Sequence, residues 1–224
     1  SKDVTLSITT RGMGKVWIGT VSLMPSDNIE GFRADVLALL RELNSPVYRW
    51  PGGNFVSGYD WRDGIGDRDK RPPRKNPAWL GVEHNDVGIH EFMRFCELIN
   101  TEPYIAVNAG LGDNTMARQE VEYCNGPAGT PMGRLRSENG HPDPWKVKWW
   151  SIGNEMYGSW QLGFMPTGEF VKKHNEFVDA MRSADPEIKI IAVGDLGDWD
   201  RMVLSNCADK MDFISEHFYR GEAN

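Results

Sequence analysis

An amide and a carboxyl stand side by side at the end of one apolar stretch, Lys148-Trp149-Trp150-Ser151-Ile152-Gly153-Asn154-Glu155. The pair suits acid–base work on a hydroxyl-rich substrate. The amide of Asn154 can both donate to and accept from a sugar hydroxyl, a contact that strengthens as an oxocarbenium-like centre develops. A carboxyl at Glu155, held near Trp149, Trp150, Met156 and Tyr157, would be partly desolvated, a surrounding that suits a general acid. A second constellation is Trp50-Pro51-Gly52-Gly53-Asn54-Phe55. Pro51 fixes one dihedral while Gly52 and Gly53 open conformations closed to other residues, so the chain can turn sharply and present Asn54 to a pocket. A plain tight turn is the alternative there. Asp60-Trp61-Arg62-Asp63 and the run Arg68 to Arg74 read as a solvated, ion-paired loop, with Trp61 as a platform for a sugar face.

Other chemistries find little to stand on. His84, Asp86 and His90 fit no common zinc spacing, so no metal is expected, and no cofactor motif is seen. No Gly-x-Ser-x-Gly elbow is present. Cys96, Cys124 and Cys207 form no CxxC pair, and Cys96 and Cys124 fall in helical patterns beside apolar neighbours, the surrounding of inert thiols. The formal net charge of −7, from 25 basic and 32 acidic side chains, and the lack of a basic stripe exclude nucleic acid as a partner. No apolar run approaches the roughly 20 residues of a membrane span. Ser1-Lys2-Asp3-Val4 does not begin a secretory signal, so the compartment stays open.

The elements that must position Asn154 and Glu155 follow from periodicity. Residues Val4 to Leu23 alternate weakly around Gly12 and Gly14, which predicts a β-hairpin ending near Pro25. Ile29, Phe32, Val36, Leu39, Leu40 and Leu43 then recur at helical spacing behind an Asp27 or Asn28 cap. Beyond them the chain alternates strand and helix. Strands are expected at Val47–Trp50, Tyr104–Asn108, Trp149–Ile152, Lys189–Gly194 and Met211–Ser215, and helices at Ile89–Asn100, Met116–Tyr123, Phe170–Ser183 and Trp199–Cys207. Residues 51–88 form a long loop, and Cys124 to Pro144 reads as irregular.

About five β/α units point to an α/β fold with a parallel sheet. A (β/α)8 TIM barrel, incomplete in this chain, is preferred over a doubly wound open sheet because no nucleotide-binding glycine motif is present. In such a barrel catalytic groups project from the C-terminal ends of the strands. There the sequence puts Arg49 with Asn54, Asn108, Asn154 with Glu155, Asp195, and Glu216-His217 with Tyr219.

Assembled in order, the motifs Arg49-Trp50-Pro51-Gly52-Gly53-Asn54-Phe55-Val56-Ser57-Gly58-Tyr59-Asp60-Trp61, Asn85-Asp86-Val87-Gly88, Glu102-Pro103-Tyr104-Ile105-Ala106-Val107-Asn108, Gly140-His141-Pro142 and Trp150-Ser151-Ile152-Gly153-Asn154-Glu155-Met156 are those of a family. The chain resembles glycoside hydrolase family 51, the α-L-arabinofuranosidases, from about Gly31 to Tyr219. The resemblance implies a clan-A (β/α)8 barrel and release of terminal α-L-arabinofuranosyl groups from hemicellulose or pectin. It also implies retention of configuration, through a covalent intermediate and two glutamates. Glu155 matches the general acid/base and Asn154 the neighbouring sugar-binding amide. Arg49 and Asn54 match pocket residues, and His217 and Tyr219 match the His-x-Tyr that surrounds the sugar and nucleophile.

The resemblance also divides the chain. Val16 to Pro25 looks like the tail of the β-sandwich that some members insert before the first barrel helix, so residues 1–25 are expected to be sandwich strands and residues 26–224 a partial barrel lacking its first and last strands. The family's nucleophile is a glutamate on a strand beyond the His-x-Tyr. Glu216 matches an acidic position flanking the family histidine and Glu222 lies in the tail, so neither takes that role. The expectation is that the nucleophile comes from the remainder of a longer polypeptide or from a second chain, and that this chain alone does not turn over. Alternatives are an endo-acting β-glucanase or xyloglucanase of the same family, or a non-catalytic carbohydrate-binding fragment. Family members also form homo-oligomers.

Overall fold

The computed structural model describes residues 5–19 and 21–221. Helix α1 (Ala34–Leu43) leads into strand β1 (Val47–Trp50). A long loop follows, with three short 3-10 turns and a two-stranded ribbon of β2 (Arg74–Lys75) and β3 (Val82–Glu83). Then come α2 (Ile89–Ile99), β4 (Glu102–Val107), α3 (Asn114–Asn125), α4 (Pro131–Glu138), β5 (Trp149–Ile152), α5 (Thr167–Ala184), β6 (Lys189–Val193), α6 (Asp198–Cys207) and β7 (Phe213–Ser215). No helix among the described residues is long and apolar enough to cross a membrane.

Strands β1, β4, β5, β6 and β7 form one sheet in that order, every neighbouring pair parallel. The order advances in one direction with the chain. A doubly wound sheet would reverse it at a switch point, whereas steady advance is how a barrel wall is built. The α/β partial barrel is therefore the observed architecture, with five strands as the alternation of apolar runs predicts.

The helices cover one side of this wall because their apolar residues recur at helical spacing. On α2 the buried residues are Ile89, Phe92, Met93, Cys96 and Ile99, and on α5 they are Phe170, His174, Phe177, Val178 and Met181. Trp150, Ile152, Ile105, Val107, Ile190 and Ala192 meet them from the strands, each at most 1 % exposed or fully covered. Each such large apolar side chain contributes about 1.5–3 kcal/mol on full burial. Helices α1 and α2 end on Asn44 and Asn100 in the left-handed region, φ 50° and 57°, which turns the chain into the next strand.

Several local expectations change. The hairpin expected over residues 4–23 is absent among the described residues, which form no strand there; Val4 and Thr20 lie outside them. Its apolar residues, Trp17 at 83 % exposed among them, meet no partner surface, so the alternation has nothing to pair with. Helix α1 begins at Ala34 rather than behind Asp27 or Asn28, because Asn28 closes a turn instead, accepting from the Gly31 N–H at 2.7 Å. The stretch read as irregular contains α4, capped by the Thr130 hydroxyl and opened by Pro131. All three cysteines are free and buried, and burial pushes the Cys96 thiol up to about 12 and the Cys207 thiol up to about 11, in keeping with inert thiols.

Candidate active site

The site begins where β5 stops. Gly153 takes φ 84°, and a Cβ there would stand 2.9 Å from both Ala109 Cβ and Met156 Sδ, so only glycine fits. Glu155 itself lies in the left-handed region at φ 47°, a conformation that costs an L-residue about 1–2 kcal/mol. Its carbonyl accepts from the Gly158 N–H at 2.8 Å, closing a turn that fixes the strained residue. The turn lifts the Glu155 side chain out of the strand path.

Both oxygens of Glu155 are engaged. Oε1 lies 2.7 Å from His217 Nδ1, and Oε2 accepts the indole N–H of Trp160 at 2.7 Å. The Glu155 side chain is 11 % exposed and reaches His217 across the end of β6, just beyond β7. Asn154 is buried beside it, its amide N–H2 donating to Asn54 Oδ1 at 3.4 Å, a long contact that ties the head of β5 to the turn after β1. The Asn154 Oδ1 is buried with no hydrogen-bond partner. A buried acceptor left unpaired costs about 1–3 kcal/mol, a cost that a partner reaching it would remove.

The surrounding strand ends add further polar groups. Tyr157 is pushed up to about 12, first by burial and then by the negative charges of Glu155, Asp195 and Glu216. Glu216 is pushed up to about 7 by desolvation, by its hydrogen bond to Asp200, and by the charges of Asp200 and Asp195. Asn108 performs a different task. Its Oδ1 accepts from the N–H groups of Gly110, Leu111 and Gly112, each at 3.1 Å, and its amide donates to Tyr59 O, so it organises the loop after β4.

Of the residues singled out in the sequence, Glu155, Asn154, Asn54 and His217 come together. Arg49 is half-buried in β1 in register with Tyr104 and makes no bond to Glu155 or Asn154. Tyr219 stands 85 % exposed on the segment after β7. Trp61 must be corrected: it is 1 % exposed, packs on Tyr123 with ring centroids 5.1 Å apart, and donates to Met116 O, so neither face is free for a sugar. Trp160, unremarked in the sequence, is the indole that touches the carboxyl. The signal for it was faint: a Gly-Ser-Trp step five residues past Glu155, in a stretch rich in turn formers. Glu222 lies outside the described residues.

A carboxyl held on both oxygens beside an unpaired amide oxygen has the chemistry to give and take a proton next to a hydroxyl-bearing molecule. Comparison with known proteins agrees. The family model described as the alpha-L-arabinofuranosidase 1 domain matches residues 39–224. A probable alpha-L-arabinofuranosidase C of Aspergillus fumigatus is 45 % identical over 185 residues, which is 82 % of this chain and 37 % of that protein. An intracellular exo-alpha-(1→5)-L-arabinofuranosidase 1 of Bacillus subtilis is 40 % identical over 204 residues, 88 % of this chain and 41 % of that protein. The solved structure of the thermostable GH51 alpha-L-arabinofuranosidase from Thermotoga petrophila superposes with a TM-score of 0.87 at 46 % identity, covering 90 % of this chain and 42 % of that one. The chain thus spans well under half the length of these relatives. With the motif series, the parallel wall and the Asn154–Glu155 strand end in agreement, the chain belongs to glycoside hydrolase family 51, the α-L-arabinofuranosidases.

Proposed function

We propose that this chain carries the acid/base half of a retaining α-L-arabinofuranosidase site that releases terminal arabinofuranosyl groups from arabinose-containing polysaccharides or oligosaccharides. The observation that supports it most is the Glu155 carboxyl bonded on both oxygens beside the buried, unpaired Oδ1 of Asn154. In the first step a carboxylate attacks the anomeric carbon while Glu155 gives its proton to the departing glycosidic oxygen, so the leaving group departs as a neutral alcohol. In the second, Glu155 takes a proton from water as that water displaces the carboxylate. The Asn154 amide binds a sugar hydroxyl through both steps, and His217 holds Oε1.

A retaining reaction needs a second carboxyl about 5 Å from the first. No described carboxyl shares the bonds that His217 and Trp160 make to Glu155. We assign the nucleophile to polypeptide outside these residues, together with the strands that would pair with the free edges of β1 and β7. On the same reading, the segment before residue 26 would take up β-sandwich strands only when paired with that polypeptide, since its described residues form none by themselves, and 26–224 is the barrel part. The relatives described above are arabinofuranosidases by name, which favours this reading over the endo-acting glucanase.

The test is Glu155→Ala in the full-length enzyme that carries this chain, assayed on an aryl α-L-arabinofuranoside and on arabino-oligosaccharide. General acid–base catalysis is worth about 10²–10⁴-fold, so oligosaccharide turnover is expected to fall by that factor, with azide restoring turnover of the aryl substrate as the arabinosyl azide. Unchanged turnover in the variant would remove Glu155 from the mechanism.

A further inference from the structure

Trp160 bonds to the carboxyl of Glu155, yet neither the motif series nor the reaction just described gives it a task. Trp160 is 61 % exposed, although its N–H is taken up by a buried carboxyl. The segment around it is built to hold that position. The Gly158 N–H bonds back to Glu155 O at 2.8 Å and the Gln161 N–H to Gly158 O at 2.9 Å, two consecutive turns with Trp160 in the second. Gln161, 2 % exposed, reaches across to the Ser57 hydroxyl, and the Met165 N–H bonds Met156 O at 2.9 Å, closing the segment into a strap. A Cβ on Gly158 would overlap the Trp160 ring, so glycine there is what lets the indole lie against the chain and aim its N–H at Oε2. Tyr157 braces the ring edge-on, centroids 6.2 Å apart at 87°.

An indole N–H can only donate. With this donor 2.7 Å from Oε2 and His217 Nδ1 2.7 Å from Oε1, the carboxyl plane is pinned at two points. We propose that Trp160 is a positioning residue of the acid/base: its N–H clamps Oε2 and, with His217 at Oε1, fixes the rotation of the carboxyl plane from which the catalytic proton is given and taken. The proposal rests on the acid/base assignment of Glu155. It predicts that losing the N–H harms proton transfer to the leaving group rather than substrate capture.

The experiment uses the full-length enzyme and a series of aryl α-L-arabinofuranosides of increasing leaving-group basicity. In Trp160→Phe, which keeps an aromatic ring and removes the donor, kcat/KM is expected to fall about 10- to 100-fold for the most basic leaving group, the range of one hydrogen bond to a charged group. The loss shrinks steadily as the leaving group needs less protonation. Gly158→Ala, which displaces the ring while leaving Trp160 and Glu155 intact, gives the same slope. Replacing Trp160 by benzothienylalanine, the same shape with sulfur for N–H, reproduces Trp160→Phe. An equal loss across the series, or a benzothienylalanine enzyme as active as the parent, overturns the proposal. As a readout independent of turnover, the indole N–H resonance missing from the Trp160→Phe spectrum should shift in Glu155→Gln, and its failure to move overturns the contact. An inactive parent whose indole resonance still responds overturns the glycosidase reading alone and supports the clamp.

Discussion

At the scale of single residues the site depends on two backbone positions that side-chain chemistry alone would not reveal. Gly153 at φ 84° and Glu155 at φ 47° together swing the carboxyl out of the line of β5 toward His217. Gly153→Ala adds a left-handed penalty of about 1–2 kcal/mol and forces apart contacts at 2.9 Å, an overpacking cost of about 1–3 kcal/mol. A destabilisation of at least about 2 kcal/mol is expected in denaturant unfolding, with the slope unchanged. A shift within about 0.5 kcal/mol, the range of an ordinary surface change, would show that the turn relaxes freely. The carboxyl–amide pair was legible because Asn154 and Glu155 follow an apolar strand directly. The two tryptophans were not, since Trp61 and Trp160 are chemically identical and differ only in what the fold lays over them: Tyr123 and Met116 cover the first, solvent the second.

At the scale of elements, the strands and most helices could be read because each carries its own period. Ile89, Phe92, Met93, Cys96 and Ile99 are enough to orient α2, and Lys189 to Val193 to make β6. Helix α4 escaped notice because its eight residues carry a glycine, two arginines and little apolar character, and only Thr130 with Pro131 announced it. It matters because α4 and the segment after it close over a cluster shared with α2 and α3. His90 Nε2 lies 2.7 Å from the Tyr123 hydroxyl and the ring sits edge-on to Trp145 at 4.9 Å.

Burial pushes His90 down to about 4; Glu91 beside it on α2 opposes the shift, while His141, Arg71 and Arg136 add to it. The unfolded chain therefore binds a proton near pH 6.5 that the folded chain refuses until about pH 4. The stability tied to neutral His90 is complete above pH 6.5 and is lost as the pH falls from there toward 4. Its slope is a fraction of the about 1.4 kcal/mol per pH unit of one fully differential proton, since the ring keeps some contact with water. His90→Gln should flatten the fall of the urea midpoint between pH 6.5 and 4. An unchanged profile in the variant would assign the acid sensitivity to other groups.

At the scale of the whole molecule, the wall has one covered side and one open side. Val47, Tyr104, Trp149, Ile191, Phe213 and Ile214 line a hollow of about 610 Å3, with Phe213 50 % and Val47 37 % exposed. These are the residues that a closed barrel turns inward, where side chains from all strands fill the interior. The free edges of β1 and β7 leave unpaired backbone donors and acceptors beside them. Fully burying a phenylalanine is worth about 1.5–3 kcal/mol, and Phe213 stands edge-on to Trp149 with centroids 5.5 Å apart, half of that burial already made. Residues 1–224 expressed alone should therefore self-associate in sedimentation velocity, and Phe213→Ser should shift the distribution toward monomer. In the full-length enzyme, where the proposed strands close over the hollow, the same substitution should lower stability by about 3–5 kcal/mol, the range for emptying an aromatic core site. If instead Phe213→Ser left the full-length protein as stable as its parent, the hollow would not be the barrel interior, and the closure proposed for this wall would be wrong.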